Sequence, residues 1–199
     1  MRRIVKTEPN FSFSNFVLRN NPQNWEELPV DIKNTAKEYI LNNEQNGLSG
    51  YTEKPVTKKS HIDHYIKRDL NPGLTFDWNN LIVDEINDFY GARYKDTQIH
   101  HFNQYTTILN PVTEDVHLLF YYLVTGRIEP HPNLTDIERV KAKNTIDIFN
   151  LNHPDLVNKR KGILKNIQDY QNQLGKEEIY TILKTYGFHS LLKQELNLS

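Results

Sequence analysis

The chain contains no cysteine. That absence excludes disulfides, thiolate zinc sites and cysteine nucleophiles, and it leaves the redox compartment open. Basic residues are not in excess either. Lys and Arg number 24 against 25 Asp and Glu, for a formal charge of -1. A nucleic-acid binder that works alone usually carries a clear positive excess, because phosphate neutralisation dominates its affinity. A role of that kind here requires a local basic patch or a basic partner. Long apolar runs are also missing. The longest, Leu118 to Val124, is far shorter than the roughly 20 residues of a bilayer span. The segment Met1 to Lys6 is basic without the apolar stretch of a signal peptide. A cytoplasmic protein without membrane association is therefore expected. Hydrophobic residues make up only 37%, so the expected core is lean, with 11 Tyr and 9 Phe supplying its bulk.

At 199 residues the chain fits one domain, or a small domain with a helical extension. Three segments are expected: an N-terminal stretch and helix over 1–45, a compact unit over 46–110, and a mainly helical region over 111–199. Residues 1–24 read as irregular. Trp25 to Asn43 reads as one helix, with Ile32, Ala36, Tyr39 and Ile40 on one face. Gly50 to Lys67 reads as a short hairpin and Asn79 to Asp88 as a helix, while 96–110 gives no clear periodicity. Asp115 to Val124 reads as a strand that turns at Thr125-Gly126 into Arg127-Ile128. Thr135 and Glu138 form a capping-box pair for a helix to Leu151. Pro154 opens the next helix, running toward Leu174, and a last one over Lys176 to Leu196 breaks near Gly187. The fold class is α+β.

The chemistry concentrates in His61-Ile62-Asp63-His64. On an extended backbone His61 and Asp63 share one face while Ile62 and His64 share the other; a bend after Asp63 would gather the three polar groups. A histidine can take a proton from water near neutral pH, and a carboxylate can hold a hard divalent cation beside phosphate oxygens. The same cluster also suits a solvated patch or a structural hydrogen-bonding group. Downstream come Phe76-Asp77-Trp78-Asn79-Asn80-Leu81 and Tyr90-Gly91-Ala92-Arg93-Tyr94-Lys95-Asp96. Together they give the order of a ββα-metal finger: a histidine-bearing strand, an asparagine, then a helix. Trp78 and Phe120-Tyr121-Tyr122 read as core. Lys159-Arg160-Lys161 and Lys165 read as a solvated face or a partner or phosphate contact, and the scattered histidines 117, 131, 153 and 189 as structural or exposed.

Four pieces resemble the HNH endonucleases called PtuB, which accompany an ATPase, PtuA, in Septu antiphage systems and some retrons. They are Gln45-Asn46-Gly47-Leu48-Ser49-Gly50-Tyr51-Thr52-Glu53, His61-Ile62-Asp63-His64-Tyr65, Phe76 to Leu81, and Ile148-Phe149-Asn150-Leu151-Asn152, with Arg160 beyond. The resemblance covers roughly residues 45 to 160. It implies an HNH-like ββα-metal finger embedded in a mostly helical domain, and a metal-dependent endonuclease acting on DNA or tRNA. It implies His64 as general base, Asp63 as metal-binding acid and Asn80 as the central asparagine. His61 becomes an extra ligand or phosphate contact, and Lys95 a phosphate or oxyanion contact. The third ligand of that pattern falls on Gly91 or Ala92, so Asp96, or one of His100 and His101, is the substitute. The cofactor implied is Mg2+ or Mn2+. Structural zinc is not expected, because Ser49, Thr52 and, for the second pair, Asp84, Glu85 and Tyr90-Gly91 stand where relatives carry cysteines, and packing or hydrogen bonds are expected there instead.

Lys58, Lys59, Lys67 and Arg68 bracket the histidines and are the expected nucleic-acid contacts. The resemblance also implies a PtuA-like ATPase as partner, and in some systems a retron reverse transcriptase with its RNA–DNA hybrid. Two alternatives stand beside the nuclease. One is a catalytically inactive HNH scaffold that only docks on the ATPase. The other is a small-molecule metal hydrolase, which would need a deep enclosed pocket in place of an open groove.

Overall fold

The computed structural model describes residues 1–56 and 59–198. The chain is α+β: helices surround two small antiparallel hairpins. Helix α1, Phe11–Asn20, begins at Asn10, whose side chain accepts from the amides of Ser12 and Phe13. It ends at Asn21 in the left-handed region. The irregular reading of this stretch is thus corrected: Phe13, Phe16 and Val17 fall at helical spacing and pack inward, while Phe11 stays exposed. The single helix expected over Trp25 to Asn43 is also divided. Trp25–Glu27 forms one 3-10 turn, Pro29 interrupts, α2 runs over Val30–Tyr39, and a wide turn closes at Ile40–Glu44. Proline has no amide to donate, so it suits the N-cap and not the helix interior.

Strand β1, Ser60–His64, pairs antiparallel with β2, Leu81–Glu85. His61 lies opposite Asp84, Asp63 opposite Ile82, and His64 opposite Leu81. Among the described residues no hairpin lies within 50–67, where one was expected. The partner strand comes later, from a segment read as helix. The reason is that β2 is buried on both faces. Ile82 packs into a large core with Tyr51, Tyr65, Phe149 and the C-terminal helices. Leu81 and Val83 pack into a smaller core with Phe13, Ala36, Ile40 and Trp78. A short, continuous apolar run of this kind has no period-2 signature. The β1–β2 hairpin is therefore the layer between two cores, and α3, Ala92–Gln98, follows it on the larger core's side.

The second hairpin, β3 (Phe120–Tyr122) and β4 (Ile128–Pro130), turns where expected but with shorter strands. Helix α4, Asp136–Ile148, carries the Thr135/Glu138 capping box. Helix α5 spans Pro154–Tyr170, then α6 Lys176–Leu183 and α7 His189–Leu196, separated at Gly187. Arg160 does not join the solvated face. Its buried guanidinium donates to the carbonyls of Gly126 at 2.6 Å and Leu151 at 2.7 Å, clamping the β3–β4 turn onto α5. The three expected segments share a core: Met1 and Ile4 pack with residues from 51 to 196. Among the described residues no helix is long and apolar enough to cross a membrane.

Glu53 ties the ends of this arrangement together. It is fully buried, with its Oε1 2.9 Å from the Met1 ammonium, and its carboxylate also accepts from the Ser190 amide at 2.8 Å. Burial alone would raise its pKa, but the ammonium and the Ser190 amide outweigh that and hold it at about 2. The pair therefore contributes stability above the ordinary glutamate range that is lost as pH falls through about 2. Glu53→Gln should cost about 3 kcal/mol at pH 7 in denaturant titrations, since a buried ammonium is left without its counter-charge. The gap to wild type should narrow steadily below pH 4.5; a pH-independent gap would remove the ion pair as its cause.

Candidate functional site

The last residues of β1 stand at the lip of an open groove of about 510 Å³. Among the described residues β1 pairs with β2 alone, and His61, Ile62, Asp63 and His64 all line the groove. Gln23, Asn24 and Trp25 form one wall, the loop from Lys67 to Thr75 closes one end, and Asp96 of α3 stands on the other side.

His64 is buried to 8% exposure, and its Nε2 lies 2.9 Å from the carbonyl oxygen of Thr75. A carbonyl only accepts, so Nε2 carries the proton and donates it, which leaves Nδ1 with the lone pair. Trp25 meets the ring edge-on, with centroids 4.6 Å apart. Burial, chiefly, lowers the His64 pKa to about 4. The imidazole is thus neutral and able to accept a proton at any pH above that. Thr75 donates its amide and hydroxyl to the Pro72 carbonyl, and its neighbour Leu74 is held by Asn80. The Asn80 side chain accepts from the Ile66 amide at 2.8 Å and donates to the carbonyls of Ile66 at 3.0 Å and Leu74 at 3.2 Å. It closes the loop between β1 and β2 from inside, and so sets the carbonyl that orients His64.

Asp63 points to the opposite face, into the larger core. Its Oδ2 accepts from Lys95 Nζ at 2.7 Å and from the Tyr51 hydroxyl. Burial would raise its pKa, but the Lys95 ammonium outweighs burial and lowers it. Lys95 itself is fully buried, so it cannot reach a phosphate in the groove as expected. Asp96 Oδ1 lies 3.3 Å from the same ammonium. Burial raises the Asp96 pKa, and Asp63 adds to the rise while Lys95 opposes it. The expected bend that would gather His61, Asp63 and His64 does not occur: β1 stays extended through His64. Among the described residues no three His, Asp or Glu side chains converge as a metal site. Two buried atoms near the groove lack hydrogen-bond partners, His61 Nδ1 and Asp96 Oδ1, and burial lowers the His61 pKa.

The expected basic contacts are largely committed elsewhere. Lys67 Nζ donates to the carbonyls of Asp96 at 3.2 Å and Ile99 at 3.0 Å, fastening the loop to the C-terminus of α3. Arg68 pairs with Glu26 at 2.9 Å, on the groove's rim. Lys59 is exposed before β1 and does not line the groove; Lys58 lies outside the described residues. His100 and His101 are exposed and away from it. Sequence reasoning missed Trp25 and Thr75. Trp25 was absorbed into a helix that Pro29 divides, and Thr75 acts through its backbone carbonyl, which no side-chain pattern announces.

Behind β2 lies a hydrogen-bonded knuckle. Ser49 Oγ donates to Asp84 Oδ1 and accepts from the amides of Tyr51 at 3.2 Å and Thr52 at 3.0 Å. The Ala92 amide donates to Asp84 Oδ2 at 2.7 Å. Gly91, at φ +77°, must be glycine, because a Cβ there would sit 2.3 Å from Asp84 Oδ2. Ser49, Thr52, Asp84 and Gly91 are thus drawn together by hydrogen bonds and close packing around one buried carboxylate. Burial pushes the pKa of that carboxylate up to about 7, with Ser49 and the Ala92 amide opposing it.

No family model matches the chain, and no curated protein matches it.

Two outcomes are expected from this geometry. Asn80→Ala should cost roughly 2–3 kcal/mol, since it strands buried backbone groups. It should also raise amide exchange across 66–75 above the rest of the chain; unchanged exchange there would refute its bracing role. For Asp84 the folded pKa of about 7 lies above the ordinary 3.8. Its contribution is therefore fully present below about pH 4 and lost as pH rises through 7. Asp84→Asn should gain on wild type in denaturant titrations as pH rises from 4 to 8. A constant difference between the two proteins would contradict the raised pKa.

Proposed function

We propose that this chain is an HNH-type nuclease subunit that hydrolyses phosphodiester bonds in nucleic acid, DNA or tRNA, within an antiphage assembly. One observation carries the reading. A neutral histidine is fixed through Nε2 at the lip of an open groove, and among the described residues its Nδ1 has no hydrogen-bond partner. The order of β1, β2 and α3, with Asn80 closing the intervening loop, supports the same reading. In this scheme His64 Nδ1 takes a proton from water as the water oxygen attacks phosphorus, and the opposite P–O ester bond breaks with its leaving oxygen taking a proton from solvent. Asn80 acts through the loop that sets the His64 ring. The open groove argues against a small-molecule hydrolase, which would enclose its substrate.

The divalent metal implied by the resemblance does not fit the residues as they stand. His64 Nε2 is committed to Thr75, and Asp63 and Asp96 both face the Lys95 ammonium. A doubly charged ion about 4 Å from that ammonium would meet a repulsion on the order of 8 kcal/mol at an effective dielectric of 20. No step is therefore routed through a metal held by Asp63 and Asp96. The same ammonium favours a second reading, a non-catalytic scaffold that docks on a PtuA-like ATPase. The groove's cations are paired, and the chain's charge is near zero. Either way, a basic partner must supply much of the nucleic-acid affinity.

Co-expression with the neighbouring ATPase gene, comparing wild type with His64→Ala, separates the two readings. The nuclease predicts growth arrest and a defined nucleic-acid product for wild type, and a loss of about 10²- to 10⁴-fold in cleavage for the variant. Cleavage should hold steady from pH 8 to 5 and fall by half near pH 4, where His64 protonates. Equal cleavage by a folded His64→Ala would exclude the mechanism, and no cleavage by either would favour the scaffold.

A further inference from the structure

The Lys95 ammonium sits in a cage of four oxygens. Asp63 Oδ2 lies at 2.7 Å, the carbonyls of His64 and Tyr65 at 3.0 and 3.1 Å, and Asp96 Oδ1 at 3.3 Å. The rings of Tyr51 and Tyr65 flank it, each with its centroid 5.9 Å away, and the side chain is wholly sealed from water. Two carboxylates and two backbone carbonyls form the all-oxygen donor set that hard divalent cations select. Here the set surrounds a singly charged ion that the chain itself supplies. Lys95 comes from α3, and its ammonium binds the carbonyl of His64, the last residue of β1, and that of Tyr65 just after it. It therefore fixes the backbone at the residue whose ring faces the groove.

We propose that the Lys95 ammonium stands permanently in place of a divalent cation, so that this site works with an internal cation and excludes Mg2+ and Mn2+ from Asp63 and Asp96. Lys95 is a positioning residue: it touches no substrate and acts through Asp63 and the His64 and Tyr65 carbonyls. A purely structural lysine would only hold the fold. This one also determines whether the cage accepts a metal, and that can be read directly. Its cationic neighbour Lys67 is tied to the Asp96 and Ile99 carbonyls, the Tyr51 hydroxyl donates to Asp63, and burial lowers the pKa of His61, which disfavours its cationic form. None of these supplies a second cation to the cage. The inference deepens the hydrolase reading and rests on it for its meaning in catalysis, but metal binding is measured without any cleavage.

The test is titration of the full chain with Mn2+, with free Mn2+ followed by EPR and stability by thermal unfolding. Wild type should take up no Mn2+ at this site and show the same Tm in Mn2+ and in EDTA. Lys95→Arg, which keeps the charge, should behave likewise. Lys95→Ala empties the cage of its cation and should gain one Mn2+ per chain. Its Tm should rise by about 5–10 °C at roughly 100 times the Kd, and Asp63→Asn in the same background should abolish the gain. A stoichiometric Mn2+ site in wild type that Asp63→Asn removes would overturn the proposal, as would a folded Lys95→Ala that gains none. If Lys95→Ala does not fold even with Mn2+, the wild-type arm decides alone: a site lost in Asp63→Asn overturns the proposal, and no site supports it. Nuclease activity that fails to depend on His64 would leave each of these outcomes unchanged.

Discussion

The buried ammonium of Lys95 is the constraint on which the site depends. Asp63 points into a core of tyrosines and aliphatic side chains, where an unpaired carboxylate would be costly. Lys95 supplies the counter-charge, and its remaining protons satisfy two carbonyls at the end of β1. One side chain thereby joins α3 to β1, neutralises Asp63 and fixes the backbone from which His64 projects the other way. The alternation of strand side chains does the rest. With Asp63 anchored inward on one face, His64 must stand on the opposite face, where Trp25 and the Thr75 carbonyl receive it.

The hairpin can carry such a site because it lies between two cores. Ile82 is buried on one side and Leu81 and Val83 on the other, so its register is held from both faces. A lean composition is used economically: one strand serves both cores, and buried polar groups such as Glu53, Asp84 and Arg160 tie segments that apolar packing alone would leave loose. Each is paired or hydrogen-bonded, and each joins parts of the chain far apart in sequence.

Much of this was legible in the sequence. The His61 to His64 cluster does line the groove, Thr135 and Glu138 do cap α4, and the last helix does break at Gly187. The turn at Thr125-Gly126 stands between two strands as read. What was not legible has physical causes. The continuous burial of β2 erased the alternation that marks a strand, and Phe11 and Phe13 mimicked alternation in what is a capped helix. Lys67, Lys95 and Arg160 read as surface cations, because composition cannot tell which long basic side chains find carbonyl or carboxylate partners inside.

The groove that results has few free charges. Arg68 bridges to Glu26 and Lys67 to backbone carbonyls, so both cations that line it are already engaged. The central claim is that a lysine, and not a divalent ion, occupies the space between Asp63 and Asp96. The most direct measurement is a crystal of the wild-type protein soaked in Mn2+, with anomalous scattering collected at the manganese edge. The account predicts continuous density for Lys95 between the two carboxylates and no anomalous peak there. A peak within about 2.2 Å of an Asp63 carboxylate oxygen, with Lys95 displaced, would contradict it.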